Sequence, residues 1–436
     1  GPNMAGKSTY MRQVALIVLM LLRVPIGISM FIVGAGGLLL TKGTVLANYA
    51  LATTPVSAIS SFTLVAIPMF ILMGNLANEA GITTELYDTG YKLLGRLPGG
   101  LGMATVFACA GFAATTGSSV GMVAAMTRIA LPEMDRYGYD RRLSLGTIAG
   151  AGTLGILIPP SIPAVMYAIT TEQSVGRILL GGVLPGVIMA VAMLAYLGIR
   201  CAINPKLAPV SSKKVPLREK LRSLKGIWAI VVLFGGVIGS IYLGIATATE
   251  AAAVGCLGAV VIAAIKKNLS WKGIRSALVD TVKMTCMIML ISVGAAVFQL
   301  FLTRCGFASA FSNLFIGSQM PMMATIILML LVYIPLGMFF DTMGMILLTI
   351  PIFYPIMSNL GVDPIWFGVM VIIMIQVSLL SPPVGLNVYV LKGCVPDASL
   401  GQIFRASAPW MGIQLVVVAL LLLFPGLVTW LPNLMK

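Results

Sequence analysis

The chain has no histidine and only 13 acidic residues in 436, and its charged residues together make up 9%, where soluble domains carry about 25%. That scarcity excludes a water-soluble fold. Without histidine the usual imidazole metal ligand and neutral-pH base is missing. The six cysteines, Cys109, Cys201, Cys256, Cys286, Cys305 and Cys394, stand singly, with no pair at metal-ligand or redox spacing. Neither disulfides, a metal centre nor a cofactor is expected. No serine has a matched base, which argues against an intramembrane hydrolase. Stretches such as 51–76 and 326–356 also lack the apolar-polar alternation of barrel strands and are rich in Leu, Met and Ala.

What the chain does have is hydrophobicity: 59% of its residues are apolar, in runs of about 20 that are each long enough to cross a bilayer as a helix. The reading is an all-α polytopic membrane protein with ten or more membrane segments. The net charge of +15 does not point to nucleic acid, because Lys and Arg fall in short gaps between apolar runs, as in positive-inside topology. The densest cluster, Lys206, Lys213, Lys214, Arg218, Lys220, Arg222 and Lys225, places the middle loop in the cytoplasm. Lys266, Lys267, Lys272 and Arg275 mark a second cytoplasmic loop two crossings later. The first apolar run has no small-residue cleavage site and leads into a second at 24–40, so no cleavable leader is expected.

Self-similarity is present. Gly155-Ile-Leu-Ile-Pro-Pro160 returns as Ser378-Leu-Leu-Ser-Pro-Pro383, an offset of 382 − 159 = 223. The same offset aligns Ser118-Ser119-Val-Gly121-Met122 with Asp341-Thr342-Met-Gly344-Met345, and Asp140 with Asp363. Ser174-Val-Gly-Arg-Ile pairs with Ser399-Leu-Gly-Gln-Ile slightly downstream. The linker 135–142 carries Arg136, Arg141 and Arg142, whereas its partner 358–364 carries no Lys or Arg. Opposite charge bias in equivalent loops predicts opposite sides of the membrane, hence an inverted repeat with its site at the repeat interface. The predicted units are 14–203 and 227–436, joined by a basic linker at 204–226.

Pro159-Pro160 and Pro382-Pro383 each break an apolar helix and free backbone carbonyls at membrane depth. Such unwound backbone is tolerated only where it is buried in protein or lines a cavity. The flanking small and polar residues, Gly155 in one half and Ser378, Ser381, Gly385 and Asn387 in the other, fit that use. Ala113-Ala-Thr-Thr-Gly-Ser-Ser-Val120, with Thr115, Gly117, Ser118 and Ser119, reads as a re-entrant hairpin tip. Phe339-Phe-Asp-Thr-Met-Gly344 is its counterpart. The two hairpin-and-break regions span about 97–172 and about 321–395. Half-helix N-termini at such tips can present free amides to an anion, and carbonyls and hydroxyls can hold Na+. Asp341 is the sharpest single residue, since a carboxylate in an apolar stretch is costly and usually functional or paired. Glu250 opens an Ala-rich helix after two Thr residues, so capping competes there with ion contact.

These residues carry a resemblance. From about Val24 onward the chain resembles the large membrane subunit of tripartite ATP-independent periplasmic (TRAP) transporters, the DctM/SiaM family. The matching motifs are Ser61-Phe-Thr-Leu-Val-Ala-Ile-Pro-Met-Phe-Ile-Leu-Met-Gly74, Gly155-Ile-Leu-Ile-Pro-Pro-Ser-Ile-Pro163, Ala248-Thr-Glu-Ala-Ala-Ala253 and Ser381-Pro-Pro-Val-Gly-Leu-Asn387. The resemblance implies a transporter and no enzyme, of elevator type, in the bacterial inner membrane. It also implies Na+ as coupling ion, a small four-helix membrane subunit and a periplasmic substrate-binding protein as partners, and a small carboxylate such as sialic acid or a C4-dicarboxylate as substrate. Carried over by motif, the ion and substrate positions are Ser118 and Ser119 with the break Gly155 to Pro160, and Asp341 and Thr342 with the break Ser378 to Asn387.

One motif points elsewhere. Gly1-Pro-Asn-Met-Ala-Gly6-Lys7-Ser8-Thr9 matches the phosphate-cradling loop, and with Tyr10-Met-Arg-Gln13 resembles MutS-type ATPases. It would make the protein an ATP-driven membrane pump. That loop works between a strand and a soluble helix, with an acidic residue on Mg2+. Here Val14 to Leu22 reads as the start of a membrane helix, so residues 1–13 are expected to bind no nucleotide.

Overall fold

Prolines, glycines and polar caps, rather than changes in hydrophobicity, decide where the helices of this apolar chain begin and end. The computed structural model describes residues 18–19, 22, 24–209, 216–306 and 320–435, all in helices, turns and loops, with no strand among them. The phosphate-loop motif at 1–13 and the middle of the basic linker lie outside the described residues. The first half comprises α1 (Ile26–Ile59), α2 (Ala66–Glu79), α3 (Ile82–Leu94), α4 (Gly100–Thr116), α5 (Ser119–Arg136), α6 (Arg141–Gly152), α7 (Ile162–Thr170) and α8 (Val175–Ile203). A short helix, α9 (Leu217–Ser223), leads into α10 (Trp228–Tyr242), α11 (Ala248–Ile265) and α12 (Trp271–Arg304). Then follow α13 (Met322–Leu331), α14 (Tyr333–Leu336), α15 (Thr342–Asn359), α16 (Pro364–Ser378), α17 (Leu386–Cys394), α18 (Leu400–Leu423) and α19 (Gly426–Asn433). Eight helical runs among the described residues are long and apolar enough to cross a membrane.

Two groups of helices emerge from the packing. In one, α1 lies along α12, and α2 packs on both α11 and α12. Small residues let these backbones approach: a Cβ on Gly27 would stand 2.7 Å from the Leu290 carbonyl oxygen. The other group holds the hairpin α4–α5, the broken helix α6–α7, and their counterparts α13–α15 and α16–α17, flanked by α8 and α18.

The sequence anchors are helix starts in both halves. Asp140 caps α6 by accepting from the Leu143 amide, and Asp363 caps α16 by accepting from Ile365 and Trp366. Ser118 and Asp341 cap α5 and α15. Ser174 and Ser399 cap α8 and α18. Both Pro-Pro peptide bonds are cis. Glu250 completes a capping box with Thr247 at the start of α11, accepting its amide at 2.8 Å.

The two broken helices run antiparallel. The Tyr167 hydroxyl, near the end of α7, donates to the Pro364 carbonyl at the start of α16, 2.7 Å away. At the other end Arg141, opening α6, pairs with Asp397, just past α17, at 2.8 Å. Midway, the Gln376 amide donates to the Thr153 carbonyl at 2.9 Å, two residues 223 apart. A contact between positions one repeat apart lies on the axis relating the halves. The loops 135–142 and 358–363 therefore sit at opposite ends of the molecule.

Candidate functional site

Each hairpin tip is seated on the break of its own half. In the first, α4 ends at Gly117, whose φ of +57° is the left-handed conformation that favours glycine. A Cβ there would stand 2.6 Å from the Pro160 carbonyl oxygen, and one on Gly155 would stand 2.8 Å from the Ser118 carbonyl oxygen. Tip and break thus meet backbone to backbone. Past the cis Pro159-Pro160 bond, Ser161 restarts the helix, its hydroxyl accepting from the Ala164 amide and donating to the Ile156 carbonyl that the break frees. In the second half Gly337 abuts the Ser378 side chain, a Cβ there being 2.4 Å from that of Ser378. The Ser378 hydroxyl donates to the Ile375 carbonyl at 2.7 Å, and that of Ser381 to the Ser378 carbonyl at 3.0 Å. Beyond Pro382-Pro383, Gly385 turns the chain at φ +55° into α17.

The return limb of each hairpin packs on the other half: α5 against α17, and α15 against α7. Among the described residues, that cross-packing produces one direct side-chain link between the predicted clusters. Ser119, 3% exposed, and Asn387, fully buried, lie 2.6 Å (Nδ2 to Oγ) and 3.0 Å (Oγ to Oδ1) apart. Asn387 also reaches the Ala149 carbonyl at 3.4 Å. The first tip, the helix before the first break and the helix after the second break therefore converge there. The equivalent link is missing on the other side, because Ala164 occupies the place that matches Asn387 and offers Thr342 nothing polar.

Two expectations change at the tips. The first amides of α15 are not free for an anion: the Asp341 carboxylate accepts from Met343 and Gly344, each at 3.2 Å. Local capping offsets part of its burial cost, because the carboxylate faces the positive end of its own helix. Among the described residues Asp341 has no basic partner. At the first tip the Gly121 amide is similarly taken by Ser118. Thr115 turns its hydroxyl back onto the Phe112 carbonyl at 2.8 Å, leaving only oxygen lone pairs for any ion.

Gln376 and Gln414, both fully buried, are absent from the residues singled out by sequence. Gln376 binds the Thr153 carbonyl and Gln414 the Thr153 hydroxyl, at 2.9 and 2.8 Å. Amides inside otherwise apolar helices were the available signal. Gly74, closing the first family motif, is the other omission: a Cβ there would stand 2.4 Å from the Thr115 carbonyl oxygen, so α2 leans directly on the first tip. A cavity of about 550 Å3 contains none of the predicted residues. It opens between the ends of α1 and α7 and the middle of α12, lined by Ser57, Ser61, Thr170, Glu172, Ser292 and Gln299 among others.

Apolar crossings, paired breaks and seated hairpins describe a multi-pass membrane protein built as a transporter. Residues 13–427 match the family model described as "Tripartite ATP-independent periplasmic transporter, DctM component", and the chain belongs to that family, whose members are transporters and not enzymes. It is 36% identical over 378 residues to the C4-dicarboxylate TRAP transporter large permease protein DctM of Pseudomonas aeruginosa, covering 85% of this chain and 86% of that one. It is 30% identical to the sialic acid TRAP transporter large permease protein SiaM of Vibrio cholerae, covering 94% and 95%. In fold it resembles the Alcanivorax borkumensis YdaH transporter, with a TM-score of 0.61 at 14% identity, covering 87% of this chain and 88% of that one.

Proposed function

We propose that this TRAP large permease imports a small carboxylate of the C4-dicarboxylate or sialic acid class by Na+ symport. A periplasmic binding protein delivers the solute and a small four-helix membrane subunit accompanies the chain. The observation that carries this reading is the doubled hairpin-on-break geometry, antiparallel between halves and joined by Ser119 and Asn387. The first Na+ position is assigned to the Ser118–Ser119 tip and the backbone of Gly155 to Pro160, where carbonyls and hydroxyls crowd together. The second is assigned to Asp341 and Thr342 with the Ser378 to Asn387 break. Solute binds between the tips.

Transport then proceeds by an elevator step, in which the hairpins and broken helices move against the α1–α2–α11–α12 group. The likeness to relatives named for C4-dicarboxylate and sialic acid supports the substrate class. Proteoliposomes holding the chain and its small subunit, supplied with a panel of binding proteins and an inward Na+ gradient, test the reading. Solute should accumulate without ATP, and accumulation that needs ATP and ignores Na+ would refute it.

A further inference from the structure

A basic collar bearing exposed leucines sits where α9 runs into α10. Residues 217–228 carry four cations, Arg218, Lys220, Arg222 and Lys225, against the single acid Glu219. The segment is continuously helical, with one 3-10 turn, Leu224–Ile227, between α9 and α10. Its inner side is tied to α3: the Thr89 hydroxyl donates to the Ser223 carbonyl at 3.0 Å, and Lys220 to the Leu93 carbonyl at 3.3 Å.

Among the described residues nothing covers its outer side. Leu221, Leu224, Trp228 and Val231 are 60%, 43%, 38% and 61% exposed, and their spacing of three, four and three puts them on one stripe of a helix. The stripe carries the bilayer-facing side of α10 outward past Trp228, a residue type enriched at headgroup level. Arg218, Arg222 and Lys225 run beside it one residue on. All three are exposed, and among the described residues none has an ion pair. Long basic side chains over an apolar stripe at a membrane boundary suit lipid phosphate, with stems on the acyl region and heads in the phosphate layer.

We propose that this collar is a binding site for an anionic phospholipid headgroup of the leaflet on its own, basic side, which the positive-inside rule makes cytoplasmic. Leu221 and Leu224 lie at the acyl boundary while Arg218, Arg222 and Lys225 hold the phosphate. The occupant is a lipid rather than an acidic protein segment because the cations flank a stripe that is continuous with the lipid-facing side of a span.

The test uses the full chain in phosphatidylcholine micelles titrated with phosphatidylglycerol, read as melting midpoint and as lipid retained in native mass spectrometry. Phosphatidylglycerol should raise the midpoint and remain bound. Each cation near an anionic surface contributes a factor of about five in affinity, so Arg218→Gln/Arg222→Gln/Lys225→Gln should weaken apparent affinity by on the order of 100-fold. Leu221→Ser should weaken it with all charges kept, and Lys272→Gln/Arg275→Gln, on the other basic loop, should leave it unchanged. Equal response in the triple variant and the wild type overturns the proposal. Stabilisation by inorganic phosphate alone, or only with an added protein partner, does so too.

Discussion

Ser119, at the tip of the first hairpin, and Asn387, just past the break of the second half, meet within hydrogen-bond distance although 268 residues separate them. Among the described residues neither side chain hydrogen-bonds within its own half. The link joins the two repeated motifs side chain to side chain.

Removing either partner strands the other in a buried place, a loss that costs about 1–3 kcal/mol. Ser119→Ala and Asn387→Ala should each lower the melting midpoint, and the double variant should fall short of their sum by about 1 kcal/mol of coupling. A double-mutant cycle by chemical or thermal denaturation measures this. Strictly additive losses would mean that the contact carries no energy.

The seating of the first tip predicts a contrast between two glycines four residues apart. Gly117→Ala must place a methyl group 2.6 Å from the Pro160 carbonyl oxygen at positive φ, so it should abolish uptake or folding. Gly121→Ala, whose nearest neighbour beyond its own helix backbone is 3.7 Å away, sits in the first turn of α5 and should be neutral or slightly stabilising, since alanine favours helix by up to about 1 kcal/mol over glycine. Uptake rates and expression levels of the two variants decide it.

Antiparallel broken helices fix the sidedness of their loops. In a cysteine-free background, cysteines placed near Gly138 and near Gly361, beside rather than at these positive-φ glycines, should react with impermeant maleimide from the cytoplasm and the periplasm respectively. Labelling of both from one side would break the inverted reading.

Features governed by a few consecutive residues were readable in the sequence. The Pro-Pro breaks and the correspondence of Asp140 with Asp363 are of that kind, whereas the caps that both aspartates and Glu250 make are seen only in the folded chain. Contacts made by tertiary packing were not readable. Nothing in the one-dimensional pattern brings Asn387 to Ser119 rather than to its own half's hairpin, or sets Gln376 and Gln414 around Thr153. The amides of α15 were expected to be free because the sequence shows a helix start but not where a preceding carboxylate turns. The 223-residue repeat led to the correct pairs of elements, and the asymmetry between Asn387 and Ala164 appears only once both halves are packed together.

That asymmetry makes Asp341 the residue on which the account turns. Asparagine caps helices about as well as aspartate, so Asp341→Asn should keep α15, the fold and the melting midpoint while removing the charge. The measurement is the initial rate of uptake in proteoliposomes as a function of external Na+, for wild type and Asp341→Asn at equal reconstituted protein. A steep fall is expected in the variant, with the half-saturating Na+ concentration raised and the rate partly restored at high Na+. A well-folded Asp341→Asn with wild-type rates and wild-type Na+ dependence would contradict it, leaving Asp341 as a helix cap and nothing more.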